Sequence, residues 1–461
     1  MFQKFHPSNL RTYWQEASEV KKRAIKGAAW TVAGYGTSQV IRFASNLILT
    51  RLLLPELFGL MALAFVFLIG LNLFSDIGIG PNIIQSKRND ETFINTAWTI
   101  QVIRSFIIAL FCWIIAWPVS QFYNEPKLLW LLPVLSVGVV LDGFKSTAEF
   151  TLNKDLALRK LIIFKTISQV ISIVFIIVWA YFSPSIWALA GGNLIASFTT
   201  MTWSHFLDPR IKNRFCFDRE VAKNIFRFGR WIFIATAMTF LANQLDRLML
   251  AKLFSFEMLG IYTIAYSLSD IPRQVLENLN SSVFFPAIAK FISLPRQEFR
   301  IKLIKNHQLI LVPVTIAVAL LSSFGDLVIK FLYPDNFSQA AWMLPLLALG
   351  LWPNVLVNTT SPTLLALGKS GYYAVSSFAK ALFMGIAIYV GFILMGELGA
   401  VIAVALNDIP DYTVISYGLW KEGLSHFSTD IKATAGLIVL IGLFLLLRLI
   451  LGWGLPLDAL I

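Results

Sequence analysis

The chain has 461 residues, 57% of them hydrophobic and only 14% charged, with a mean hydropathy of +0.70. Soluble domains carry about 25% charged residues, so the composition excludes a soluble globular protein and points to a polytopic membrane protein. The net charge of +12 would suit a nucleic-acid binder. However, Lys and Arg lie in short loops between apolar runs and form no single basic stripe, so no nucleic-acid partner is expected.

Residues 1–25 are polar and basic, and the first apolar run after them has full spanning length, so it is read as a retained span, not a cleaved signal. A requirement of about 20 apolar residues per span predicts helices near 26–50, 57–79, 94–118, 128–152, 159–182, 185–206, 227–252, 258–284, 306–330, 341–367, 372–395, 398–418 and 431–453. Alternate loops are basic. Lys21, Lys22 and Arg23 precede the first span, Lys87 and Arg88 follow the second, and Lys154, Arg159 and Lys160 follow the fourth. The same side collects the stretch 210–223, the stretch 290–305, Lys369, Lys421 and Lys432. The positive-inside rule therefore predicts a cytoplasmic N-terminus and short loops on the opposite face. Trp30, Trp117, Trp130, Trp187, Trp203 and Trp420 fall near predicted span ends, as interfacial anchors do.

The chain also repeats itself. At an offset of 201, Trp30 matches Trp231, Leu47 matches Leu248, Glu56 matches Glu257 and Gly59 matches Gly260; WLLPVLSVG at Trp130 recurs as WMLPLLALG at Trp342. Spans 1–6 (26–206) and 7–12 (227–418) read as two parallel six-helix repeats, because an even number of spans starts both halves on the same side. Residues 207–226 form a basic linker, and 419–461 a loop with one appended span. The expected fold is all-α, with two lobes around a central cavity.

Cys112 lies in an apolar run and Cys216 in a basic loop, so no disulfide is expected. His6, His205, His307 and His426 show no ligand spacing, and no metal site is expected. The run Gly368, Lys369, Ser370 lacks the upstream glycine of a phosphate loop and reads as a tight turn between helices. Asp76 reads as a cap where Gly78, Gly80 and Pro81 break the second span.

Charges inside the spans are the remaining signal, since a charge at mid-bilayer costs at least about 2.5 kcal/mol. Thr31, Tyr35, Ser38, Gln39, Arg42, Ser45 and Asn46 recur at three- and four-residue steps and form one polar face of span 1. Span 7 carries Thr236, Thr239, Asn243, Asp246 and Arg247 in the same manner. The repeat aligns Arg42 with Asn243 and Asn46 with Arg247, so both first helices are expected to line one space. Lys145 lies between Asp142 and Glu149, and Arg273 between Asp270 and Glu277, at spacings that allow neutralisation within one helix. Arg42, Arg104, Lys165 and Lys380 have no acid at such spacing, and Arg247 has only Asp246, about 100° away around the helix. These five cations are the candidates for binding an anionic headgroup, Arg offering bidentate donors and Lys a point charge to phosphate oxygens. Asp408 and Asp411 are candidates for coupling to a proton or sodium ion, with pairing to Lys380 the competing reading.

The segment ILTRLLLPELFGLMALAFVFLIGLNLFSDIGIG (48–80) resembles the opening signature of the Wzx-type polysaccharide flippases, in the multidrug/oligosaccharidyl-lipid/polysaccharide exporter superfamily. NQLDRLMLAKLFSFEMLGIYTIAYSLSDIP (243–272) resembles the start of that family's second half. The resemblance implies alternating access between two six-helix lobes. Its implied cargo is a polyprenyl-pyrophosphate-linked oligosaccharide, moved across the bacterial inner membrane for lipopolysaccharide, capsule or exopolysaccharide synthesis. It places Arg42 and Arg247 where such proteins keep cavity cations; the spacing and repeat arguments add Asn46, Asn243, Arg104, Lys165 and Lys380 to the expected substrate site. No cofactor and no catalytic residue are expected; implied partners are the lipid-linked substrate, membrane lipids, a polysaccharide polymerase and a chain-length regulator. Family members commonly have twelve or fourteen spans, which leaves the thirteenth with either an outer end or a missing sequel. The rival readings are a cation-coupled multidrug exporter of the same superfamily, which favours acidic cavities, and a membrane-embedded glycan polymerase or glycosyltransferase, which needs carboxylates in a wet loop.

Overall fold

A computed structural model describes residues 7–456 apart from 87, 89, 156, 280–287 and 289–293, together with residue 458; side chains of these residues are described from residue 30 onward, outside 227–235, 237–239 and 279. The described residues are helical and contain no strand. The first lobe comprises α1 (Pro7–Leu52), α2 (Pro55–Phe74), α3 (Ile79–Gln85), α4 (Glu91–Tyr123), α5 (Leu128–Gly143), α6 (Ala148–Lys154), α7 (Leu158–Phe182) and α8 (Ile186–Ser204). The second comprises α9 (Arg219–Leu253), α10 (Phe256–Ser269), α11 (Ile271–Leu279), α12 (Arg296–Leu332), α13 (Ala340–Gly350), α14 (Trp352–Asn358), α15 (Ser361–Ala366), α16 (Ser370–Ala405) and α17 (Ile409–Lys421); α18 (Phe427–Ile450) is the additional span.

Each predicted span overlaps observed helix, but the boundaries differ for physical reasons. α1 starts at Pro7, because the stretch ASEVKKRAIK consists largely of good helix formers and contains no breaker before Gly27. Several spans are broken. The second ends at Phe74 and resumes at Ile79, the fourth bends by 56° between α5 and α6, and the eighth breaks at Asp270. Spans 11 and 12 form one continuous element that reverses at Gly396, whose φ of 60° and ψ of −139° suit a residue without a Cβ. There Gly391 and Gly399 pack backbone to backbone, so a side chain at Gly399 would fall onto the Gly391 carbonyl. By length and apolarity alone, seven helices among the described residues, or eight with the bent pair, could cross a membrane.

The apolar core is arranged unevenly along the bundle. At the end carrying the short, charge-poor loops, one cluster runs through both lobes, from Leu60 and Leu63 of α2 and Leu131 and Leu135 of α5 to Tyr262 and Ala265 of α10 and Leu344 and Leu347 of α13. Toward the end carrying the Lys- and Arg-rich loops the core falls into smaller clusters. Ile83 and Phe93 of the first lobe pack with Ile225 of α9, and Phe299, Leu303, Ile415 and Leu419 form a cluster within the second lobe. The lobes thus share a large apolar core at the charge-poor end and a smaller contact, through α9, at the basic end.

Their contact depends on two glycines related by the sequence repeat. A Cβ on Gly59 would strike the Phe256 carbonyl and one on Gly260 the Pro55 carbonyl, so α2 and α10 approach nearly backbone to backbone. Gly260→Val is expected to part the lobes here. Spin labels at positions 54 and 257, in a background lacking Cys112 and Cys216, should report a longer or broader distance distribution by pulsed electron resonance. An unchanged distribution would contradict the packing account.

Candidate functional site

The polar face of α1 is real and is used in sections. Ser38 donates to Gln169 Oε1 of α7 at 2.7 Å, within its own lobe. Gln39 donates to Gln274 Oε1 of α11 at 2.8 Å and to Tyr35 Oη at 2.7 Å, while Tyr35 donates to Gln274 Oε1 at 3.2 Å, so this turn bridges the lobes. One turn further on, Arg42 is exposed and has no hydrogen bond or ion pair with the described residues. Asn46 follows, partly buried, and on α9 the repeat-related Asn243 is exposed. Gly34 packs closely against Ile162 of α7.

The second lobe concentrates charge around a pocket of about 30 Å³, room for a water molecule, lined by Asn243, Asp246, Asp270, Arg273, Lys380 and Asp408 among others. Arg273 Nε lies 2.7 Å from Asp270 Oδ1 and 3.8 Å from Glu277, as the acid-cation-acid spacing predicts. Arg273 also donates to Tyr266 Oη at 3.1 Å. Arg247 sits 5.3 Å from the Tyr266 ring centroid and donates to Gln244 Oε1 at 3.0 Å, while Asp246 accepts from the Tyr262 hydroxyl at 2.7 Å. Arg247 is thus held by a neutral amide and an aromatic face.

Two of the expected lone cations are paired. Lys380, 6% exposed, lies 2.5 Å from Asp408 Oδ1. Pairing is the outcome burial dictates, because an unpaired ammonium inside the lobe would keep its full desolvation cost. Asp411, a turn beyond Asp408, faces Ser376 instead. Lys165 lies 2.5 Å from Glu149. Glu149 is free to reach it because the chain bends between Gly143 and Ala148, which destroys the helical spacing to Lys145; Lys145 keeps only Asp142, at 2.8 Å.

In the first lobe, Arg104 donates to Ser75 Oγ at 3.0 Å and to the Asn72 carbonyl at 2.8 Å, both neutral. It lines a cavity of about 310 Å³ with Gln101, Asp76, Asp142, Lys145 and Glu149. Asp76 accepts from the Gly78 amide at 2.8 Å and holds the turn between α2 and α3, as its position before the glycines predicts. Of the five expected free cations, Arg42 stands alone and Arg104 and Arg247 have neutral partners.

Sequence reading missed two features. Asp270, Ile271, Pro272 and Asp408, Ile409, Pro410 are the same tripeptide, and each stands at a helix break. Proline lacks an amide hydrogen and clashes with the carbonyl four residues earlier, so each tripeptide ends a helix and leaves its aspartate at the pocket. The recurrence is visible in the sequence. Second, His307 and His426 meet at Asp430, with Nε2 of His307 2.7 Å from Asp430 Oδ1. The absence of ligand spacing along the chain gives no sign of this cluster, which forms only when α18 docks on α12. Cys112 and Cys216 are both free, and Gly368, with φ of 74°, makes the tight turn before α16.

Two parallel helical lobes, packed most extensively at the charge-poor end, give the chain a fold shared with known transporters. The structure is similar to an inward-facing MATE family multidrug resistance transporter of the MOP superfamily (TM-score 0.64, 14% identity, 87% of this chain and 95% of the other). It is also similar to the lipid II flippase MurJ in an inward closed conformation (TM-score 0.65, 13% identity, 93% and 91%). The chain itself belongs to the family described as polysaccharide biosynthesis protein, which it matches over residues 48–342. Among relatives, it is 23% identical to the lipopolysaccharide biosynthesis protein WzxC of Escherichia coli (strain K12) over 273 residues, 59% of this chain and 55% of WzxC. It is 21% identical to the teichuronic acid biosynthesis protein TuaB of Bacillus subtilis (strain 168), over 76% of this chain and 73% of TuaB. The match to the succinoglycan biosynthesis transport protein ExoT of Rhizobium meliloti (strain 1021) is 22% identical and, like that to WzxC, spans little more than half of the relative. The protein is a multi-pass membrane protein of this family.

Proposed function

We propose that the protein is a flippase, carrying polyprenyl-pyrophosphate-linked oligosaccharide across the bacterial inner membrane by alternating access, with its N-terminus in the cytoplasm. The observation that carries the reading is the contrast between an extensive apolar core shared by the lobes at the charge-poor end, smaller clusters toward the basic end, and an exposed Arg42 on the polar face of α1. An anionic headgroup entering from the basic side meets a guanidinium without a carboxylate to displace. The polyprenyl tail stays in lipid, and the cavity spares the headgroup the desolvation that makes unassisted flipping slow. Membership of a family whose relatives are described as lipopolysaccharide, teichuronic acid and succinoglycan biosynthesis proteins supports a glycan cargo. Asn46, Asn243, Arg104 and Arg247 are the remaining headgroup contacts in this reading, and a polymerase and chain-length regulator are the downstream partners.

A multidrug exporter is the second reading, favoured by Asp246, Asp270 and Asp408 around the second-lobe pocket. Asp270 and Asp408 are each paired with a cation, so neither is open to a cationic drug without exchange. Proteoliposomes separate the readings. A fluorescent polyprenyl-pyrophosphate oligosaccharide should become accessible to a membrane-impermeant quencher at a rate set by the protein. Transport of lipophilic cations with no movement of the lipid-linked glycan would replace this reading with the second, and lengthening of the glycan chain would replace it with a polymerase.

A further inference from the structure

We propose that His307, His426 and Asp430 form a binding site for a divalent transition metal of the zinc class, which clamps the additional span α18 to the second lobe. The inference is independent of the cargo.

All three side chains are at least nine-tenths buried: His307 is 1% exposed, His426 3% and Asp430 2%. One ligand atom of each lies within 4.8 Å of the other two, and the imidazole centroids are 5.0 Å apart. Asp430 accepts from His307 Nε2 at 2.7 Å and from the Tyr412 hydroxyl at 2.8 Å. Two ring nitrogens of the cluster, His307 Nδ1 and His426 Nε2, are buried without a hydrogen-bond partner. In His426, Nδ1 faces the Leu424 carbonyl at 3.4 Å, an acceptor, which assigns the ring proton to Nδ1. Its Nε2 then presents a lone pair 3.3 Å from Asp430 Oδ2, and that nitrogen has no hydrogen-bond partner.

A buried lone pair set against a carboxylate is an unmet demand for positive charge. Neutral imidazole is the form that binds metal. The outer contact is in place too, since a ligating histidine commonly donates its second N–H to a backbone carbonyl, and Leu424 supplies one. Two imidazoles and a carboxylate suit zinc and its neighbours. Neither cysteine belongs to the cluster, which argues against a thiolate site. A cleft of about 390 Å³ bordered by Ser416, Trp420, Ser425, His426 and Asp430 reaches the site and offers an entry path. The ligands come from α12, from the loop before α18 and from its first turn, with Tyr412 of α17 alongside, so one ion would join three elements.

The full chain, purified without a polyhistidine tag, stripped of metal and kept in detergent, is titrated with Co²⁺ and then Zn²⁺. One equivalent of Co²⁺ should bind with visible d–d absorption, be displaced by Zn²⁺ and raise the thermal midpoint. His426→Gln, which leaves the His307 to Asp430 hydrogen bond intact, should weaken binding by about 100-fold or more, at or beyond the upper end for losing a supporting contact. Tyr412→Phe, which keeps both nitrogens and the carboxylate, should still bind. Absence of saturable Co²⁺ uptake by the unsubstituted protein overturns the proposal, whatever the variants do. Equal uptake by His426→Gln also overturns it, because the metal is then held elsewhere.

Discussion

Arg42→Ala is expected to lower translocation of the lipid-linked glycan by about 10- to 100-fold, the loss of roughly 1.5 to 3 kcal/mol from a charge-assisted contact to phosphate. Insertion and protein level should stay unchanged. The expectation rests on the contrast among the interior cations. Lys380 and Lys165 already hold carboxylates at 2.5 Å, so a headgroup would have to break those pairs to use them. Arg42 is exposed and has no partner among the described residues to give up. Arg42→Lys, retaining charge but not the planar fork, should fall between the two. Glycan export in cells at matched protein levels, followed by the liposome assay, checks the effect. Undiminished export by Arg42→Ala would remove this residue from the site.

The second large effect concerns stability. Arg448 of α18 is fully buried and meets Asp326 of α12 in a two-pronged pair, at 2.5 Å for Nη1 and 2.9 Å for Nη2. It also donates to the carbonyls of Ser323, Gly454 and Trp453, while Lys330 lies 3.6 Å from the same carboxylate. Asp326→Ala leaves the guanidinium without its counterion and is expected to cost about 3 to 5 kcal/mol. The readout is loss of folded protein from detergent extracts and a lower thermal midpoint. Asp326→Leu combined with Arg448→Met should recover most of the loss, because the cost lies in the uncompensated charge and not in the missing pair. A double variant as unstable as the single one would contradict that reasoning.

These two sites also mark what a sequence can and cannot convey. Thirteen apolar stretches, the repeat through Gly59 and Gly260, the polar face of α1 and the Asp270, Arg273, Glu277 grouping depend on local periodicity, and all are visible in the chain. The partners of Lys165, Lys380 and Arg448 depend on which helices lie side by side. Asp326 and Arg448 are separated by 122 residues, and His307 and Asp430 by 123. Helical spacing has nothing to say at such separations. The bend between α5 and α6 went unread for a different reason: it interrupts an apolar run without any proline at the bend itself.

The lopsided distribution of greasy contacts between the lobes has an energetic corollary. Opening the charge-poor end would expose the Gly59 and Gly260 seam, and the hydrogen bonds by which Tyr35 and Gln39 already reach Gln274, about 0.5 to 1.5 kcal/mol each, would not replace that apolar burial. In the flippase reading, a ligand tips the balance between the two orientations only by the difference in its affinity for them.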